Sequence, residues 1–179
     1  MEFLDIIKLP DPVLRKKSAA IEQVDDDLRA LLDAMMETMY DAPGIGLAGI
    51  QVGVPKRIIT IDVTRDEGPR QPLYLINPEI LTLSDDRLTY EEGCLSIPDY
   101  YAEIERPAGA RVRYVDYHGK SRELEVDGLL ATVIQHEIDH LDGVLFIDYL
   151  SKLKRDLVIR KFTKAARQDE RDKRKHAAL

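Results

Sequence analysis

The first periodic pattern along the chain is helical and begins just after Asp25 and Asp26. Its apolar positions recur three or four residues apart, which predicts a helix with one face packed on a core. The pattern stops before Ala42-Pro43-Gly44, a segment that ends helices. The apolar positions are Leu28, Leu31, Leu32, Met35, Met36 and Met39.

Between Arg57 and Val126 the pattern changes to that of β-strands. Short runs rich in branched and aromatic residues are separated by Pro, Gly or Asp, as strands usually are. The last two runs flank His118-Gly119, which predicts a β-hairpin that turns there. The predicted strands are RIITIDV, LYLIN, EILTL, RVRYVDY and RELEV.

Two more helices are predicted in the C-terminal part. The second helix follows Asp127, a suitable N-cap, and runs through Leu141 to a stop at Gly143. The third runs from about Ser151 toward Arg174 and frays into a polar tail. Strands flanked by helices, without βαβ alternation, predict an α+β fold. We expect mostly antiparallel sheets around a central second helix, with N-terminal and C-terminal helices beside them.

Composition and charge narrow the class of protein. Of the 179 residues, 44% are hydrophobic and 33% are charged, which suits one folded domain and is too apolar for a disordered chain. A formal net charge of −7 argues against a globally basic nucleic-acid-binding protein. One cysteine, no long apolar run, and no secretory or transit signature favour a cytoplasmic protein without a membrane segment.

The segment His136-Glu137-Ile138-Asp139-His140 carries the strongest chemical signal. On the second predicted helix its histidines lie four residues apart, so both imidazoles can reach one cation. Glu137 lies beside that cation without having to ligate it, as a general base does. The alternative is a pair of surface histidines on a polar helix face.

Cys94 follows Gly93 at a predicted strand-to-turn position. A free cysteine is most often an apolar filler of the core. Beside a two-histidine site, however, its thiolate is a natural third ligand. One cysteine and two histidines leave one coordination position open, which is typical of catalytic metal sites.

The glycine-rich segment Gly44–Gln51 offers backbone with little side-chain obstruction, which suits pairing with an extended peptide. It is not a phosphate loop, because no Gly-Lys-Ser/Thr follows. Gln51 adds an amide donor at its end. Taken alone, the segment fits a plain loop closing onto a helix equally well.

Together these three segments resemble the motifs of the peptide deformylase family, which are G-x-G-x-A-A-x-Q, E-G-C-x-S and Q-H-E-x-D-H. Here they read GIGLAGIQ (Gly44–Gln51), EGCLS (Glu92–Ser96) and QHEIDH (Gln135–His140). The resemblance extends from the N-terminal helix to Ser151, and the C-terminal helix is similar to that of bacterial type 1 members. It implies a hydrolase that removes the N-formyl group from the formyl-methionine of nascent polypeptides and releases formate.

The resemblance also implies roles for single residues. Glu137 would move protons between water and the leaving amine. The side-chain amide of Gln51 and the backbone N–H of Leu95 would stabilise charge on the formyl oxygen. One divalent metal ion would be bound, Fe²⁺ in the family, with Zn²⁺, Ni²⁺ or Co²⁺ as replacements; the donor set itself suits zinc. The predicted metal ligands are Cys94, His136 and His140.

A pocket for the methionine side chain is predicted beside the metal. Leu129 and Val133 share the helix face of the two histidines, so they lie next to the site. With Ile45 and Gly46 of the glycine-rich segment they would line the pocket, or else Leu129 and Val133 fill the core.

Three details near the motifs stay open. Gly49 stands where the family has a second alanine, which loosens the backbone without removing a functional group. Asp99-Tyr100-Tyr101 stands where some members have a basic residue that grips the substrate backbone. Glu92 either pairs with Arg106 to fix the turn of Cys94 or is a solvated carboxylate.

The C-terminal segment differs in charge from the rest. Lys152 to Lys175 holds 11 Lys and Arg against 4 Asp and Glu, a net of +7, so the remainder carries −14. We expect a catalytic deformylase domain over 1–150 and a basic helix and tail over 151–179. The basic helix is either a solvated amphipathic helix or a ribosome contact. No membrane and no sequence-specific nucleic-acid partner are expected.

Two rival interpretations of the metal motif remain. One is a metallopeptidase that cuts internal peptide bonds, although such enzymes usually draw their third ligand from downstream. The other is a structural zinc site closed by a fourth ligand, for which His118 is the spare imidazole outside the tail.

Overall fold

The computed structural model describes residues 3–64 and 68–177. Short 3₁₀ turns occur at Pro12–Arg15, Gly49–Val52 and Phe146–Tyr149. The other elements, in chain order, are α1 (Asp26–Asp41), β1 (Gly46–Ala48), β2 (Ile58–Ile61), β3 (Leu73–Leu83), β4 (Arg87–Cys94), β5 (Ile97–Pro107), β6 (Gly109–Val115), β7 (Ser121–Asp127), α2 (Gly128–Leu141) and α3 (Lys152–Ala177).

The strands form two antiparallel sheets. Five strands pair in the order β1-β2-β3-β6-β7, which makes β1 an edge strand. The other two, β4 and β5, form a separate two-stranded sheet. This arrangement confirms the predicted α+β fold with mostly antiparallel sheet.

Helix α2 packs on the five-stranded sheet. Ala131, Ile134 and Leu141 are completely buried and share one apolar cluster with strand residues such as Ile59 and Val112. Burying one such branched side chain stabilises the fold by roughly 1.5–3 kcal/mol. The helix that carries the histidine motif is therefore fixed in the protein interior.

Helix α1 has the predicted position and face. The Asp25 side chain accepts a hydrogen bond from the backbone N–H of Leu28 at 2.8 Å and so caps the helix. The predicted stripe is buried except for Leu31, which is half-buried, and it packs against Ile58 of β2.

The strand predictions need two corrections. LYLIN and EILTL form one strand, β3, because Asn77 adopts φ 50° at a register shift that lets the strand continue past Pro78. The sequence patterns also missed β1, β4 and β5. The hairpin at His118-Gly119 is confirmed, and Gly119 has φ 82° there.

Helix α3 runs along the surface. Among its described residues only Val158 is buried, whereas Leu153 and Leu157 are 71% and 52% exposed. No helix in the described ranges is both long enough and apolar enough to cross a bilayer.

Candidate metal centre and peptide cleft

Three candidate ligand side chains, two from helix α2 and one from the two-stranded sheet, meet at one point. His136 and His140 project from one face of α2, and Cys94 ends β4. Their ligand atoms all lie within 4.8 Å of one another, and Cys94 Sγ is 3.3 Å from His140 Nε2. Ligand bonds of about 2.0–2.3 Å in a tetrahedral site place ligand atoms roughly 3.3–3.8 Å apart, so the cluster fits one cation. Thiolate and imidazole are suitable donors for zinc or iron(II).

A buried ionic network holds His136 in position. Glu92 Oε1 lies 2.9 Å from His136 Nδ1, which leaves Nε2 to face the cluster. Arg106 donates two hydrogen bonds to Glu92, at 2.7 and 3.0 Å, and one to Asp139 at 2.9 Å. Burial by itself would raise the pKa of Glu92, but these partners lower it below its usual range. Glu92 is therefore paired with Arg106 and is not a solvated carboxylate.

The two imidazoles differ in their surroundings. Burial alone would lower the pKa of His136, but its interactions with Cys94 and Glu92 raise it well above its usual value. Burial and the neighbouring His136 lower the pKa of His140 well below that value. His140 Nδ1 is buried without a hydrogen-bond partner among the described residues. The surroundings therefore favour a proton on His136 over one on His140.

Glu137 lies beside the three ligands and is only 4% exposed. Its Oε2 has no hydrogen-bond partner in the described part of the chain, and burial raises its pKa to about 7. Gly46 lies against it so closely that an added Cβ would be 2.4 Å from Glu137 Oε1. The Glu137 carboxylate can therefore occupy this position only because residue 46 has no side chain.

Gln51 is oriented by hydrogen bonds at both ends of its amide. Its Oε1 accepts from the Ala48 backbone N–H at 2.9 Å, which turns the Nε2 group toward the site. Nε2 donates to Ser96 Oγ at 3.0 Å and lies 3.5 Å from Cys94 Sγ. The amide donor is therefore fixed before any substrate arrives.

A cleft of about 840 Å³ opens above the cluster. His140 does not line the cleft but lies deeper, in the cluster of candidate ligands. Tyr101 also lines the cleft, whereas Tyr100 packs on Phe146 in the core. The cleft walls include every other predicted site residue: Ile45, Gly46, Gln51, Cys94, Leu95, Leu129, Val133, His136 and Glu137.

Some residues of the site were not predicted. Ser96 ends the cysteine motif and could have been found there as the partner of Gln51. Phe146 stacks on His136 with ring centroids 5.9 Å apart, and no sequence signal marks it. His118, the candidate fourth ligand, is instead at the turn between β6 and β7, where it contacts Tyr117.

Comparison with known proteins agrees with this geometry. Residues 3–156 match the family model described as polypeptide deformylase. A peptide deformylase of Rhizobium meliloti is 63% identical over 167 residues, which cover 93% of this chain and 96% of that protein. One from Agrobacterium fabrum is 65% identical over 167 residues, covering 93% and 98%.

Solved structures are similar as well. A crystal structure of peptide deformylase from Ehrlichia chaffeensis superposes with a TM-score of 0.86 at 41% identity, covering 94% of this chain and 99% of that one. A structure of the Ehrlichia chaffeensis enzyme in complex with actinonin gives a TM-score of 0.87 at 44% identity, covering 92% and 98%. Because sequence and fold agree over most of its length, this chain belongs to the peptide deformylase family, the metal-dependent hydrolases that remove the N-formyl group from nascent polypeptides.

Proposed function

We propose that Cys94, His136 and His140 hold one divalent cation, at which the N-formyl group of a formyl-methionyl nascent peptide is hydrolysed. The supporting observation is the convergence of the three ligand atoms within 4.8 Å beside a buried carboxylate. When bound, the cation supplies a Lewis acid that polarises the formyl carbonyl and lowers the pKa of water toward about 7.

Glu137 is the residue that we assign to proton transfer. With a pKa raised to about 7 by burial, its carboxylate can both accept and return a proton near neutral pH. Glu137 takes a proton from the attacking water and delivers one to the nitrogen of the departing methionine.

Two donors stabilise the charge that develops on the formyl oxygen. We assign this role to the Gln51 amide, whose orientation is fixed by Ala48 and Ser96, and to the backbone N–H of Leu95. A donor that is already in place costs no reorganisation in the transition state, and losing one typically costs about 3–4 kcal/mol.

The peptide binds along the free edge of β1. An edge strand offers unpaired backbone groups, so a peptide can add to the sheet antiparallel to Gly44–Gly46. The methionine side chain then enters the slot between Ile45, Leu129 and Val133. The actinonin-bound Ehrlichia chaffeensis relative leads us to expect that actinonin competes for the same cleft.

We infer that Fe²⁺ is the physiological metal, with Zn²⁺, Ni²⁺ or Co²⁺ as replacements. A thiolate on iron(II) is sensitive to oxygen, because both can oxidise. The protein should therefore be purified anaerobically and its metal quantified. Full activity after prolonged exposure to air, with zinc as the bound metal, would disprove the iron assignment.

Formate release from a formyl-Met peptide, measured beside an unblocked peptide of the same sequence, tests the activity. We expect formate from the first peptide and no cleavage of the second. Glu137→Gln should retain the metal and lose nearly all turnover. Cleavage of the unblocked peptide alone, or full activity of Glu137→Gln, would contradict the proposal.

The basic residues of helix α3 support a further proposal, a contact with the ribosome. Lys164, Arg167 and Arg171 line one face of the exposed helix, which suits contact with ribosomal RNA in the cytoplasm, where nascent chains emerge. A plain solvated helix is the alternative. Ribosome cosedimentation should weaken with salt and with Lys164→Glu/Arg167→Glu, but not with Lys120→Glu on the β6–β7 turn. Equal binding by all three proteins would support the solvated helix.

A further inference from the structure

The cleft extends well beyond the metal cluster. Its volume of about 840 Å³ is near the upper end of the roughly 300–1,000 Å³ found for small-molecule sites. From the end near Gln51, its wall follows the glycine-rich segment back to Pro43 and Ala42 and reaches Tyr40 and Arg70. A peptide antiparallel to β1, with its formyl end at the metal, therefore directs its later residues toward Tyr40 and Arg70.

Arg70, an exposed residue, stacks on an aromatic ring at that end. Its guanidinium carbon lies 4.0 Å from the centroid of the Tyr40 ring, a close cation–π contact. The Tyr40 hydroxyl donates to Asp62 Oδ2 at 2.6 Å, and the Asp62 backbone N–H donates to the Ile45 carbonyl at 3.0 Å. The stacked cation is thus connected through two hydrogen bonds to the segment along which the peptide lies.

The carboxylate of Asp62 is occupied by other partners. Burial alone would raise its pKa, but hydrogen bonds from Thr64, Tyr40 and the Gln71 backbone lower it below the usual range. Among the described residues, no carboxylate forms an ion pair with Arg70.

Arg70 is the one Lys or Arg among the described residues that line the cleft. The wall formed by β4 and β5 carries the exposed carboxylates of Glu91 and Asp99. On that wall the Tyr101 ring covers bare backbone, since a Cβ on Gly93 would lie 2.5 Å from it. An acidic side chain in the cleft is therefore attracted to one wall and repelled by the other.

We propose that Arg70, stacked on Tyr40, is a specificity-determining residue that selects acidic side chains in the segment of the formylated peptide after methionine. This inference rests on the activity proposed above. Successive side chains of an extended peptide point to opposite faces, so the preference falls on one position among residues 2 to 4 and spares its neighbours.

The test compares formyl-Met-Ala-Ala-Ala with peptides that carry Glu, Gln or Lys at residue 2, 3 or 4. We expect the wild-type protein to favour Glu over Lys in kcat/KM by about five-fold at one position in low salt, mostly through KM, and less in 0.5 M salt. Arg70→Gln should bring this ratio close to one, and Arg70→Lys should keep part of it.

Arg87→Gln is the matched control, because Arg87 is an exposed arginine on β4 that pairs with Glu105 outside the cleft. It should preserve the Glu/Lys ratio and should hydrolyse formyl-Met-Ala-Ala-Ala within two-fold of wild type. If Arg70→Gln keeps the wild-type Glu/Lys ratio at every position, the proposed role of Arg70 is overturned, but the proposed deformylase activity is not. If wild-type protein fails to release formate from the uncharged peptide, the proposed activity fails instead.

Discussion

Replacing Gly46 by alanine tests whether the position of the Glu137 carboxylate limits the reaction. A Cβ at position 46 would lie 2.4 Å from Glu137 Oε1 and 2.9 Å from its Cδ. Because Glu137 is only 4% exposed, it has little room to retreat. Roughly 1 Å of separation must be gained to restore an ordinary contact of about 3.5 Å.

A displacement of that size has a large expected effect on catalysis. A 1 Å misplacement in an active site costs about 100-fold in rate, which corresponds to about 2.7 kcal/mol of barrier. The strain of the extra methyl group is about 1–3 kcal/mol, less than the roughly 5–15 kcal/mol that stabilises a typical domain. Gly46→Ala should therefore fold, bind metal and turn over about 100-fold more slowly.

The test compares Gly46→Ala, Glu137→Gln and the double variant. Formate release, metal content and thermal unfolding are measured for each of them. If the methyl group acts by displacing Glu137, the double variant should be no slower than Glu137→Gln alone. Activity of Gly46→Ala within three-fold of wild type would refute the reasoning. So would rate losses that multiply fully in the double variant.

Three further substitutions probe the surroundings of the centre. Arg106→Gln leaves Glu92 buried without its cation, so unfolding should be easier by about 3–5 kcal/mol in denaturant titrations, and a loss below 1 kcal/mol would contradict this. Gln51→Leu removes a fixed donor and should lower kcat by about 100- to 1,000-fold with little change in KM; a change in KM alone would assign Gln51 to ground-state binding. Asp62→Asn should cost about 2 kcal/mol of stability at pH 7, because hydrogen bonds lower the pKa of Asp62 and its contribution is present above its unfolded pKa near 4. The difference in unfolding free energy between wild type and Asp62→Asn should shrink as pH falls below 4. A difference in unfolding midpoints that does not change with pH would contradict this prediction.

The sequence predicted the elements whose pattern is local. The α1 stripe from Leu28 to Met39 and the hairpin at Gly119 follow from periodicity and turn chemistry, and both are confirmed. The patterns did not predict β4 and β5, because charged and exposed residues such as Glu91 and Glu103 face each other across this hairpin. The buried face of the hairpin carries Glu92 and Arg106 beside Ile104, so its strands lack the alternation of apolar and polar residues that marks a strand in sequence.

The candidate site was predictable where a motif names its residues and where the helix face of the motif adds neighbours such as Leu129 and Val133. The spacing of His136 and His140 fixes their common face, and the cysteine motif points to Cys94. In contrast, Arg106 reaches Asp139 from 33 positions away, and Arg70 reaches the cleft by stacking on Tyr40. Such contacts depend on how separate layers pack, which local patterns do not specify.

The division of the proposed ligands between two layers would link metal loading to folding. Cys94 belongs to the β4–β5 hairpin and His140 to a helix of the main core, 46 residues further along. An ion bound by both closes that stretch into a loop, much as a covalent staple does. At a metal concentration 1,000 times the dissociation constant, such binding raises unfolding free energy by about 4 kcal/mol. Melting temperature then reports occupancy even in an inactive variant, so inhibitors and chelators can be distinguished without following the reaction.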